Sequence, residues 1–149
     1  MNDNHDQTVD IISVACAFLF VVATTHAEYA PSKAVYDVTS SDPLDLTNIL
    51  DRVSLLQNLY GNNSFDSKIV IVIHEGTIPI FTKTKAEYSG LMQRAKSLTF
   101  GEIIEFRLCI TSAKLQGYTA NDFHEFVAMV PMADAEIIML QNNGYAYLR

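Results

Sequence analysis

The segment Lys68-Ile-Val-Ile-Val-Ile-His74 constrains the fold of this chain more than any other part of the sequence. Every position from Ile69 to Ile73 is apolar, with no alternation between apolar and polar side chains. A strand that is exposed on one face alternates, whereas a strand that is covered on both faces reads as a continuous apolar run. The segment therefore predicts a central strand of a parallel sheet that lies between two layers of helices.

Strand-like and helix-like segments alternate along the rest of the chain. Their order, β-α-β-α-β-α-β-α-β, predicts a three-layer α/β fold with a five-stranded, mostly parallel sheet and helices on both faces. The stretch from Glu75 through Pro79 is expected to be a loop or a short turn. The expected strands are 33–39, 68–74, 103–110, 126–130 and 145–148, and the expected helices are 43–60, 86–98, 113–117 and one that begins near 133.

Composition, charge and the absence of several motifs argue against some classes of function. The chain has a net charge of −7, and its 49% of apolar residues is typical of a globular protein. A nucleic-acid-binding surface needs a basic face, which this balance does not favour. The glycine-rich and serine motifs of dinucleotide-binding, phosphate-binding and esterase sites are missing from the sequence.

Residues 1–27 differ from the rest of the chain. The apolar run from Ile11 to Ala23 is too short for a membrane span of about 20 residues but suits the core of a signal peptide. Small residues before Glu28 fit a cleavage site, although residues 1–10 contain no Lys or Arg. We expect a periplasmic or secreted protein whose domain, residues 33–149, is free of the membrane. The alternatives are an uncleaved hydrophobic N-terminal helix or a wrongly assigned start.

Cys109 is the one cysteine outside this leader, and it lies at the end of the third expected strand. Thr111 and Ser112 are residue types that cap helix N-termini, and Gly117 suits the position just past a helix end. The sequence thus predicts a sulfur beside a helix N-terminus, where the helix dipole favours thiolate over thiol. The alternative is a buried, inert cysteine, because free cysteine is among the most buried residue types.

Two further groups of polar residues are candidate sites. His74 ends the second expected strand, so it shares a crevice with Cys109 if the two strands are neighbours, and a His–Cys pairing activates cysteine nucleophiles. From the sequence alone, a solvated residue at a strand end is the better interpretation of His74. The cluster Asp122, His124 and Glu125 is a weak metal-binding pattern and is interpreted as loop surface. We expect neither a metal nor a cofactor.

Three sequence segments resemble the DsrE/DsrF-like (YchN-like) family of small sulfur-relay proteins. They are Ile71-Val-Ile-His74-Glu-Gly76, Phe106-Arg-Leu-Cys109-Ile-Thr111, and the tail from Val130 to Arg149, which is most similar to exported single-domain members. Members of this type often read His-Gly after the second strand and Asn-Thr soon after the cysteine. This chain instead has His74-Glu75-Gly76 and Ile110-Thr111-Ser112.

The resemblance implies a five-stranded domain that assembles as trimers or hexamers, and a cysteine at position 109 that carries sulfur as a persulfide. We therefore expect Cys109 and His74 to act in catalysis, and Gly76, Thr111 and Ser112 to bind the ligand, with sulfur donor and acceptor proteins as partners. Whether the protein is an enzyme stays open between a sulfurtransferase-like carrier and a non-catalytic, oligomeric ligand-binding or scaffold module.

Overall fold

The computed structural model describes residues 29–60 and 66–149. The strands are β1 (Lys33–Val38), β2 (Lys68–Ile73), β3 (Ile104–Cys109), β4 (Val127–Val130) and β5 (Ala146–Leu148). The α-helices are α1 (Pro43–Tyr60), α2 (Ser89–Leu98), α3 (Ile110–Leu115) and α4 (Ala133–Asn142). Three-ten helices occupy Glu75–Phe81, Ala86–Tyr88, Thr99–Gly101 and Ala120–Asp122.

All five strands are parallel and lie in the order β4-β3-β2-β1-β5. The connections through α1, α2 and α3 each lead to the neighbouring strand, whereas α4 carries the chain back to the far side of β1. Because the direction of travel reverses, right-handed crossovers place α4 on the opposite face from the other helices. The predicted α/β class and five-stranded parallel sheet are confirmed.

The central strand β2 is buried on both faces, as its apolar run predicted. Each residue from Ile69 to Ile73 is fully buried. Ile69, Ile71 and Ile73 pack in one apolar cluster, and Val70 and Val72 pack in another. We call the first side of the sheet the three-helix face and the second side the single-helix face.

The two faces have cores of different size. On the three-helix face, α1, α2 and α3 cover the larger side chains of the strands, and Leu50, Met92 and Phe106 belong to this core. On the single-helix face, α4 alone contributes helical residues, and the residues it buries are Ala133, Ile137 and Leu140. The single-helix face therefore has less apolar material to cover the strands.

The segment after β2 is longer and more regular than the predicted loop or short turn through Pro79. Residues Glu75–Phe81 form a three-ten helix that buries Thr77, Ile78, Ile80 and Phe81. Apolar side chains in this segment enter the core of the three-helix face, and this burial orders a stretch that its Gly and Pro residues alone would leave irregular.

The predicted leader, residues 1–27, lies outside the residues that the structure describes. Within 29–60 and 66–149, no helix has the length and apolar content that crossing a membrane requires.

Candidate functional site

Cys109 lies at the carboxyl edge of the sheet, as the last residue of β3. Its Sγ accepts two backbone hydrogen bonds, from the N–H of Ser112 at 3.4 Å and from the N–H of Ala133 at 3.3 Å. Ser112 is in the first turn of α3, and Ala133 is the first residue of α4. The sulfur therefore receives N–H groups from the beginnings of two different helices.

The start of α3 differs from the prediction. Thr111 and Ser112 were expected to be N-cap residues, but α3 begins at Ile110 and its N-cap is Cys109 itself. The Thr111 hydroxyl instead donates to the carbonyl of Pro131 at 2.8 Å. The helix follows the strand without a loop, so the sulfur takes the acceptor role that a Ser or Thr oxygen usually has. Gly117, just past the helix, has a φ of +82° and fits its predicted role.

The Cys109 side chain is buried. The residue is 2% exposed and packs with Val35, Val70 and Val72 of the sheet and with the apolar residues of α4. This burial is the property that the alternative interpretation, an inert packing cysteine, requires. Chemistry at this sulfur therefore requires that the residues covering it move.

His74 is buried, so its interpretation as a solvated strand-end residue was wrong. It is 9% exposed, and its Nε2 lies 2.6 Å from Oδ1 of Asp37 on β1. The strands β2 and β3 are neighbours, and Ile73 pairs with Leu108. The next residues along each strand direction are His74 and Cys109, which are therefore adjacent positions at the same edge of the sheet.

Asp37 is a residue of the site that the sequence analysis missed. Its Oδ2 accepts a hydrogen bond of 2.5 Å from the hydroxyl of Tyr147 on β5. Burial alone would raise the pKa of the Asp37 carboxyl, but the hydrogen bonds from Tyr147 and His74 outweigh it and hold this pKa below its ordinary value. The signal in the sequence was an isolated acid inside the apolar strand Lys33-Ala-Val-Tyr-Asp-Val.

A second charged group lies on the same face, two residues before Cys109. Arg107 bonds to Glu136 of α4 and, at 2.5 Å, to Glu105, which also pairs with Lys68 at 2.5 Å. Burial alone would raise the pKa of Glu105, but the hydrogen bonds with Lys68 and Arg107 lower this pKa by more than burial raises it. The pKa of Glu105 is therefore below its ordinary value. These ion pairs fasten α4 to the sheet beside the sulfur.

Gly76, predicted to bind a ligand, has a packing role in this structure. A Cβ at this position would lie 2.8 Å from the carbonyl oxygen of Thr39 and 3.0 Å from the amide nitrogen of Ser41. Glycine thus permits the close approach of the three-ten helix after β2 to the loop after β1. Gln116 of the α3 C-cap also holds this region, since its side-chain amide donates to the carbonyl of Glu75 at 2.7 Å.

The cluster Asp122, His124 and Glu125 lies away from Cys109, and Asp122 closes a capping box with Thr119. Hydrogen bonds from the Thr119 backbone and side chain lower the pKa of Asp122. Among residues 29–60 and 66–149, no three His, Cys, Asp or Glu side chains are grouped so that they could hold a metal ion.

Comparisons with known proteins agree with the observed fold. A solved structure from Methanobacterium thermoautotrophicum, described as the protein of unknown function MTH1491, matches with a TM-score of 0.62 and 24% identity, covering 79% of this chain and 98% of the other. At that identity the match shows the fold alone. No curated protein sequence matches the chain.

The model of the DsrE/DsrF-like family matches residues 32–149. The chain therefore belongs to the DsrE/DsrF-like family, whose membership indicates sulfur relay at the level of the family.

Proposed function

We propose that this protein carries sulfane sulfur as a persulfide on Cys109. The observation that supports this most directly is the pair of backbone N–H groups, from Ser112 and Ala133, that donate to Sγ. Hydrogen bonds to an ionised acceptor are stronger than those to a neutral one, so the same two donors would stabilise negative charge on the sulfur of a thiolate or persulfide. Family membership supports the same class of chemistry.

The sulfur transfer needs no added oxidant, because one S–S bond breaks as another forms. The Cys109 sulfur attacks the outer sulfur of a donor persulfide, R–S–SH, and the donor S–S bond breaks as the new S–S bond forms. R–SH leaves with one proton, and Cys109 becomes Cys–S–SH. Passing the outer sulfur to an acceptor thiolate reverses these steps and regenerates the thiol.

Intact-mass spectrometry after incubation with inorganic polysulfide tests this proposal. The test uses protein that carries Cys16→Ser, so that Cys109 is its one thiol. We expect this protein to gain the mass of one sulfur, and a reductant to remove it. Adding Cys109→Ser keeps a side-chain acceptor for both N–H groups but removes the last thiol, so this variant should fold and gain nothing. Equal sulfur loading in this variant would overturn the assignment to Cys109.

A second candidate function has its own supporting observation, the 2% exposure of Cys109. If the cysteine serves only in packing, the family fold would act here as a ligand-binding or scaffold module. A thiol reagent would then label Cys109 only after unfolding. Labelling of the folded protein at a rate far above that of global unfolding would exclude this candidate.

Homo-oligomerisation, export and protein partners for sulfur transfer stay predictions from the sequence. Light scattering coupled to size-exclusion chromatography would measure the assembly. N-terminal sequencing of protein recovered outside the cytoplasm would show whether cleavage follows Ala27.

A further inference from the structure

Four neighbouring strands each place one reactive or polar side chain on the single-helix face. In spatial order these are Tyr147 on β5, Asp37 on β1, His74 after β2 and Cys109 on β3. The Tyr147 hydroxyl donates to Oδ2 of Asp37 at 2.5 Å, and Oδ1 of Asp37 lies 2.6 Å from Nε2 of His74. A continuous chain of hydrogen bonds thus runs along the sheet toward the sulfur.

The strand register brings the last two members next to each other. Ile73 pairs with Leu108, and both belong to the three-helix face, so the residues that follow them, His74 and Cys109, are directed to the opposite face. Residues in register on neighbouring strands have backbones about 5 Å apart. His74 and Cys109 therefore occupy adjacent positions on this face, while Sγ is hydrogen-bonded to the N–H groups of Ser112 and Ala133 rather than to the imidazole.

The bond to Asp37 fixes the position of the proton on the His74 ring. A carboxylate can only accept hydrogen bonds, so Nε2 is the nitrogen that carries the proton. In the neutral ring, the lone pair is then on Nδ1. Asp37 would also stabilise the imidazolium that forms when Nδ1 takes a proton, as a carboxylate does in other nucleophile–base–acid arrangements.

The hydrogen-bonded chain joins Tyr147, Asp37 and His74; its Tyr147 end reaches solvent, whereas the neighbouring sulfur does not. Asp37 lines a cavity of about 380 Å³ together with Ser40, Asp45 and Arg52. Tyr147 is 42% exposed, while Cys109 is 2% exposed. A thiol as buried as this one cannot pass its proton directly to bulk water, and the hydrogen-bonded chain offers a polar group to receive it.

We propose that His74 accepts the proton of Cys109, and that Asp37 and Tyr147 are positioning residues that orient the His74 ring for this step. The inference rests on the proposed persulfide function and assigns its proton acceptor. The thiol proton moves to Nδ1 of His74 as Sγ attacks the outer sulfur of the donor. The donor S–S bond breaks, and the proton returns from His74 to the leaving R–S⁻, which departs as R–SH.

The test compares two variants with a matched control, all in the full-length protein with Cys16→Ser, so that sulfur gain reports on Cys109 alone. Asp37→Asn keeps the shape of the side chain but removes the charge that holds the Nε2 proton. Tyr147→Phe removes one hydroxyl from the chain. Asp45→Asn is the control, because Asp45 lines the same cavity but bonds to Ser40 and not to His74.

Two readouts are measured, the initial rate of sulfur gain from inorganic polysulfide and the ¹⁵N chemical shifts of the His74 ring. We expect sulfur gain to slow about 100-fold in Asp37→Asn, within the usual range for lost proton-transfer catalysis. Tyr147→Phe should slow it about fivefold, as the loss of one hydrogen bond suggests. Asp45→Asn should match the wild type. The wild-type spectrum should show a protonated Nε2 and an unprotonated Nδ1, and this preference should weaken in Asp37→Asn.

The outcomes separate this inference from the function on which it rests. Wild-type sulfur gain with an unchanged rate in Asp37→Asn would overturn the relay and leave the carrier function standing. A wild-type protein that gains no sulfur would overturn both. If Asp37→Asn does not fold, Tyr147→Phe decides instead: a slower rate supports the relay, and an unchanged rate overturns it. A protonated Nδ1 in the wild-type ring also overturns it.

Discussion

The two faces of the sheet are built from the same strands but bury different kinds of side chain. From β1, β2 and β3, the three-helix face receives residues such as Tyr36, Ile71 and Phe106, which pack under three helices. The single-helix face receives Asp37, Arg107 and Cys109 besides its valines, under α4 alone. The three-helix face therefore supplies most of the apolar stabilisation, and the single-helix face can hold charged and reactive groups that require specific partners.

The largest effect should come from truncating the core of the three-helix face. Leu50→Ala on α1 and Leu140→Ala on α4 remove the same atoms from residues that are 0% and 3% exposed. Leucine-to-alanine substitutions in cores cost about 2–5 kcal/mol, and the cost is highest where the surroundings cannot relax. We expect Leu50→Ala to lie near the upper end and Leu140→Ala near the lower end of this range.

Urea denaturation of both variants measures this difference in the free energy of unfolding. Equal losses would mean that α4 is packed as tightly as α1, and that the contrast between the faces does not extend to stability.

The ion pairs of the single-helix face should matter more than an ion pair on the outside of the other face. Arg107→Met leaves Glu136, whose side chain is only 12% exposed, without its partner, and we expect a loss of about 3 kcal/mol, the lower end for a buried pair because both side chains keep some exposure. Arg94→Met is the matched control, because Arg94 pairs with Asp51, whose side chain is 57% exposed. Its loss should be below about 1 kcal/mol. Denaturation in low and high salt would check both values, and equal losses would contradict the contrast.

The close packing of the three-helix face extends to the carboxyl edge at Gly76. Gly76→Ala would place a Cβ 2.8 Å from the carbonyl of Thr39, and we expect a loss of about 1–3 kcal/mol. Gly90→Ala is the control in α2, where a Cβ would meet no atom within 4 Å. It should stabilise the protein by up to about 1 kcal/mol, because alanine favours helix. Thermal unfolding of the two variants should therefore shift in opposite directions, and a shift in the same direction would be evidence against the close contact.

The smallest effect should be the response of the single-helix face to acid. The pKa values of Asp37 and Glu105 are lowered in the folded protein, so the folded state binds fewer protons than the unfolded one in this range. Their contribution to stability is complete above their ordinary pKa values of about 4 and is lost as the pH falls through the lowered values. Denaturation between pH 7 and pH 3 should show this loss, and the free energy of unfolding should fall less steeply with pH in Glu105→Gln than in the wild type. An identical dependence on pH in that variant would mean that Glu105 does not contribute to the loss.

The class of fold and the place of the cysteine could be predicted from the sequence alone. Both follow from local patterns: the apolar run of β2 requires cover on two faces, and glycine at position 117 supplies the positive φ that ends a helix. The position of Cys109 at the carboxyl end of a strand was equally local. Family resemblance added the expectation of sulfur relay, which belongs to the family as a whole.

The contacts between groups at the site depend on the tertiary structure. Tyr147 and Asp37 are 110 residues apart, and the N–H of Ala133 that reaches Sγ is 24 residues from Cys109. These contacts depend on α4 crossing back to place β5 beside β1, and on the register of each strand pair. Local sequence patterns carry no information about strand order. The partners of His74 and the close approach at Gly76 could therefore not be predicted from them. The N-cap of α3 is local, but cysteine is not among the residue types that commonly cap helices, so the pattern pointed to Thr111 and Ser112 instead.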